Sequence, residues 1–71
     1  MRRRTMLSAR NQFKGKIKSV KLGNVMSEVI VSVGKLEFVS AITRTSAETM
    51  KLKKGNSVKV VIKSTEVLID K

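Results

Sequence analysis

The 71 residues contain no cysteine, histidine, proline, tryptophan or tyrosine, and the only aromatic residues are Phe13 and Phe38. Most of these absences remove a class of function. Without cysteine there are neither disulfides nor thiolate zinc ligands to brace so short a chain. Without histidine the commonest metal ligand and the usual near-neutral proton carrier are gone. The five acids, Glu28, Glu37, Glu48, Glu66 and Asp70, are scattered, and no two have the spacing of a catalytic pair. The chain is therefore not expected to be an enzyme. No apolar run approaches the length of a transmembrane helix, so no membrane partner is expected. The basic N-terminus has no apolar stretch behind it, which excludes a secretory signal and makes the cytoplasm the expected location. Neither a helix-turn-helix pattern nor a glycine-rich phosphate loop fits in this length, and no internal repeat is visible.

What remains is basic and rich in Val and Ile. Sixteen Lys and Arg against five acids give a formal charge of +11, with 41% hydrophobic residues. Such an excess attracts anions. Arg2-Arg3-Arg4 precede any patterned segment, and setting them aside still leaves +8. Residues 1–6 read as a basic extension and 7–71 as one domain. A domain of this size buries a modest fraction of its surface, so self-association is the expected extra support.

Along the chain, Phe13 to Lys21 alternates as a strand: Phe13, Gly15, Ile17 and Ser19 share one face, and Lys14, Lys16 and Lys18 the other. Gly15 hints at a bend or bulge, and the alternation slips between Lys18 and Val20. Leu22-Gly23-Asn24 reads as a turn. Val25 to Val33 and Leu36 to Ile42 form a hairpin about Gly34-Lys35, with glycine supplying the positive φ. Thr45-Ser46-Ala47-Glu48 fits a capping box opening a helix of one or two turns, with Gly55 as its C-cap. Ser57 to Ile62 returns to strand, and Thr65 to Ile69 alternates as a fifth. Five short strands with one short helix before the fourth predict an all-β, small OB-like barrel. Apolar residues on both strand faces point to a partner subunit.

Two polar clusters carry the candidate chemistry. Ser8-Ala9-Arg10-Asn11-Gln12 precedes the first strand, and Lys63-Ser64-Thr65 interrupts the apolar pattern near the end. Both consist of donors with no acid among them, which suits an oxyanion better than a metal. Arg10 offers a planar fork, Ser8 a hydroxyl, the backbone about Ala9 its amides, Lys63 a point charge and Ser64 a second hydroxyl. Thr43, at the end of the third strand, could turn its hydroxyl toward the same pocket. The plain alternative is a polar lead-in with Arg10 solvated, Lys63 an exposed strand position and Ser64-Thr65 a bend; composition alone does not separate the two. A nucleic-acid-binding OB module is the other functional reading, motivated by charge. It is weakened because single-strand binders stack bases on aromatic side chains, and Phe13 and Phe38 both have inward phase.

The segment Ser8-Ala9-Arg10-Asn11-Gln12 with Lys14-Gly15-Lys16 closely resembles the opening of the molbindin (Mop-type) family, also found as the TOBE domain of molybdate regulators and transporter ATPases. The likeness continues through Ala41-Ile42-Thr43, Lys53-Lys54-Gly55 and Val61-Ile62-Lys63-Ser64-Thr65 with Val67, covering Leu7 to Ile69. It implies an OB-like barrel assembling as a homohexamer, a trimer of dimers, that binds molybdate or tungstate between subunits. By that likeness Ser8, Ala9 and Arg10 contact the anion from one subunit and Lys63 and Ser64 from its neighbour, with Thr43 and Ser46 matching further positions. Storage or buffering of the oxyanion is the implied role. The chain departs from the family in its strongly basic balance, in Phe13 for a leucine and in a shortened hairpin at Gly34-Lys35.

Overall fold

The computed structural model describes residues 10–71, which form four antiparallel strands and one short helix. In chain order these are β1 (Asn11–Leu22), β2 (Met26–Val33), β3 (Leu36–Thr43), α1 (Arg44–Thr49) and β4 (Ser57–Ile62). The sheet order is β3-β2-β1-β4. β1 is long enough to serve two partners: Asn11 to Lys16 pair with β4, and Lys16 to Leu22 with β2.

The slip in alternation marks a real irregularity. Ile17 pairs with Val31 but Ser19 with Ile30, so Lys18 is the extra residue of a bulge, and Val20 takes over the inward phase from Ile17. Gly15 has a different task from bulging. A Cβ there would land on the Ser32 carbonyl oxygen and 2.7 Å from Val33 Cγ2, so only glycine lets the two strands approach this closely. The predicted hairpin is present, with Val33 opposite Leu36 and Gly34 at φ +59°. Ile17, Val29, Val31 and Ala47 are the buried hydrophobic residues, and half-buried Val20, Val33, Ile42, Leu52, Val58 and Val60 pack against the first three. Val25 lies outside β2 and is 73% exposed; Ser27 takes the inward place instead, its hydroxyl buried without a hydrogen bond among the described residues.

The helix is real but its ends differ from the sequence reading. Thr43, not Thr45, is the N-cap, its hydroxyl accepting from the Ser46 amide at 3.1 Å. Glu48 is accordingly not the reciprocal partner of a capping box; it binds Arg44 one turn back at 3.0 Å. At the other end, Lys51 N–H donates to the Glu48 carbonyl and Leu52 N–H to the Ala47 carbonyl, a Schellman closure with Lys51 at φ +53°. Gly55 is not this cap. Its φ of +92° serves the turn Lys53 to Asn56, which is closed by Asn56 N–H to Lys53 carbonyl at 3.1 Å. That turn holds β1 at its bulge, Ile17 N–H donating to the Asn56 carbonyl and Gly55 N–H to the Ile17 carbonyl.

The expected fifth strand is absent and the sheet does not close. After β4 the chain makes a 3₁₀ turn, Ser64–Glu66, in which the Glu66 amide donates to the Lys63 carbonyl. These local bonds turn the chain away before Val67 can continue the ladder. Leu68 and Ile69 are then 91% and 89% exposed. The sheet edges β3 and β4 flank an open apolar groove of about 670 Å³, lined by Val31, Phe38, Ile42, Leu52, Val60 and Ile62 among others.

Candidate functional site

The β1–β4 register carries two candidate residues together across 53 positions of sequence. Asn11 pairs with Ile62, and its side-chain amide also donates to the Ile62 carbonyl at 3.3 Å. Just beyond this last pair the chain carries Arg10 before Asn11 and Lys63 after Ile62, so both lie at the same end of the ladder, and both are exposed. Lys63 keeps extended backbone, φ −66° and ψ 142°, and Ser64 opens the 3₁₀ turn directly after it. The end of this ladder therefore presents a guanidinium, an ammonium and a hydroxyl. Asn11 anchors it, a role that its place in the polar segment did not reveal. Ser8 and Ala9 lie outside the described residues.

Thr43 and Ser46 form a second group, where β3 hands over to α1. The Thr43 hydroxyl donates to Ser46 Oγ at 2.8 Å while accepting the Ser46 amide. Its single proton is thus committed, and the proton left for an outside acceptor is that of Ser46. Among the described residues no hydrogen bond joins this pair to Arg10 or Lys63. The chain reaches Lys63 only after crossing from α1 to the start of β4 and running that strand's length, about 20 Å at strand rise.

Neither group is built for proton transfer or for a metal. Among the described residues no three carboxylates gather as a metal cluster. The apolar groove between β3 and β4 has only Lys59 and Glu66 as charged lining, so it offers a bare oxyanion little. Phe13 and Phe38 stack on each other with ring centroids 5.3 Å apart. They lie on the inner face, so the basic outer face of β1 has no aromatic platform for bases. A further basic feature was not legible beforehand: Lys14 of β1 stands directly opposite Lys59 of β4, and with Lys16 and Ser57 they line a shallow surface groove of about 500 Å³. Its sequence signal was only that each lysine held an outward phase.

Residues 7–69 match the TOBE domain family. The chain is 44% identical over 64 residues to molybdenum-pterin-binding protein 3 of Clostridium pasteurianum, covering 89% of this chain and 94% of that one. A molybdate-binding protein from Sporomusa ovata has the same fold, with a TM-score of 0.88 at 31% identity over 92% of this chain and 97% of that one. The cytoplasmic molybdate-binding protein ModG, with molybdate bound, aligns at a TM-score of 0.80 and 35% identity, covering 83% of this chain and 43% of that one. Fold, sequence and the order of the polar segments agree: the chain belongs to the TOBE domain family, in its molbindin (Mop-type) group, and is an OB-like, mainly β protein.

Proposed function

We propose that the protein binds molybdate or tungstate at sites shared between copies of the chain, and that it stores or buffers the oxyanion in the cytoplasm. The observation that carries this reading is the β1–β4 register, which brings Arg10, just before Asn11, to the same end of the ladder as Lys63, just after Ile62, with Ser64 next in the chain. Two cations and a hydroxyl suit a tetrahedral dianion, which presents only acceptor oxygens. The names of the relatives, molybdate-binding proteins among them, support the choice of anion. Ser8 and Ala9 would complete the cradle from the segment before Arg10.

Self-association is supported by two features of the protomer. Thr43 and Ser46 sit apart from Arg10 and Lys63 along the chain path, so a second copy is the natural way to add their hydroxyls to one anion. The unpaired edges of β3 and β4, the apolar groove between them and the exposed Val67, Leu68 and Ile69 give that second copy a surface to bury. A homohexamer built as a trimer of dimers is the assembly we infer. Binding and assembly are then coupled, because the dianion offsets the repulsion among cations brought to one place.

Calorimetry with molybdate, tungstate and sulfate, paired with native mass spectrometry, tests the proposal. Arg10→Ala removes a charge-assisted donor set of about 1.5–3 kcal/mol, so molybdate affinity is expected to fall roughly 10- to 150-fold with the fold retained. Unchanged affinity in that variant would remove Arg10 from the site. A wild-type protein that stays monomeric with and without molybdate would end the shared-site reading.

A further inference from the structure

The outer face of the β1–β4 ladder carries more positive charge than the site at its end uses. Lys14 and Lys59 are a directly opposed pair, a placement in which like charges repel. Lys16 follows two residues on, about 6.6 Å along the strand, opposite the hydroxyl-bearing Ser57. None of the three makes an ion pair among the described residues. The nearest acid across the sheet on this face, Glu37, is held by Lys18, the bulge residue. The groove lined by Lys14, Lys16, Ser57 and Lys59 therefore contains no carboxylate. Strict strand alternation puts Arg10 on this face with Lys14 and Lys16, and Lys63 with Lys59, so the cations form a row toward the proposed site that is interrupted once, by the Gln12–Val61 pair.

We propose that this row is a collecting surface for dianionic oxyanions: Lys14, Lys16 and Lys59 hold them weakly and speed their capture at Arg10 and Lys63. The inference rests on the site proposed above and adds a kinetic role for residues outside it. A protein partner suits the groove poorly, since protein interfaces are depleted in lysine and enriched in aromatic residues, and this face has none. A single-stranded nucleic acid would lack the stacking platform that such binders use. A small mobile dianion needs only the field. Lys14 lies four residues from Arg10, about 13 Å, which is inside the Debye length at 0.01 M salt and outside it at 0.15 M. The acceleration is therefore strong at low ionic strength and fades toward physiological salt.

The test compares wild type with the triple variant Lys14→Gln, Lys16→Gln, Lys59→Gln and its charge-preserving counterpart with arginine at the same positions. Association and dissociation rates for molybdate come from NMR line shapes at 0.01 and 0.15 M salt, with circular dichroism melts to verify folding. The glutamine variant is expected to associate about 10-fold more slowly at low salt with an unchanged dissociation rate, and the arginine variant to match wild type. Equal association rates in wild type and the glutamine variant at low salt would overturn the proposal. So would a loss confined to the dissociation rate. Failure of the wild-type protein to bind molybdate at all would instead refute the site on which the inference depends.

Discussion

Lys51 adopts φ +53°, a conformation that costs an L-residue with a Cβ roughly 1–2 kcal/mol relative to glycine's free access. It does so because the Schellman closure of α1 requires a left-handed residue at this position, and the two backbone bonds it secures keep Leu52 against the core. Lys51→Gly is expected to stabilise the protein by about 1 kcal/mol, partly offset by the greater entropy of glycine in the unfolded chain, and denaturant titration reads the shift directly. A lower midpoint in that variant would mean that the lysine side chain contributes more than its backbone strain costs. Gly15 is the opposite case, where the residue has no side chain because the Ser32 carbonyl and Val33 occupy its place.

At the scale of elements, α1 is six residues long and cannot persist on intrinsic propensity. It is held by its cap, by its Schellman closure and by Ala47, which is 2% exposed. Thr43→Ala leaves the Ser46 amide without its acceptor and should cost about 1 kcal/mol of stability, while Thr43→Ser should restore most of it. A thermal melt of the two variants separates cap loss from general damage, because serine keeps the hydroxyl and removes only a methyl group. The cap was hard to place from sequence because Thr43, Thr45 and Ser46 all carry hydroxyls able to serve, and only the β3–α1 junction selects among them. The β2–β3 hairpin was readable because Gly34 breaks two well-alternating runs at their meeting point. The Arg10–Lys63 juxtaposition could not be read from spacing, since the register of β1 on β4 is a tertiary property. The family resemblance, not periodicity, brought those residues together beforehand.

At the scale of the molecule, the alternation of Val67 and Ile69 predicts a fifth strand that does not form, because alternation says only that a segment could pair, not with which edge. In the single chain, Ser64–Glu66 closes on itself and the tail pairs with neither sheet edge. Removing residues 67–71 should therefore leave the far-ultraviolet dichroism of the protomer nearly unchanged while weakening self-association, as read by native mass spectrometry across a dilution series. Intact assembly after truncation would assign the exposed Val67, Leu68 and Ile69 no part in holding copies together.

The bulge in β1 has a consequence for how charge is sorted. One additional residue at Lys18 divides the lysines of a single strand into two populations, those upstream left available to solutes and Lys18 itself neutralised by Glu37 on β3. Deleting that one residue would remove the bulge and leave the strand in plain alternation, with Val20 still inward and Lys21 still outward, while Glu37 loses its partner. A length change of one codon, with no turn or loop altered, would thereby turn a neutralised carboxylate into a free one on the same face as the upstream lysines.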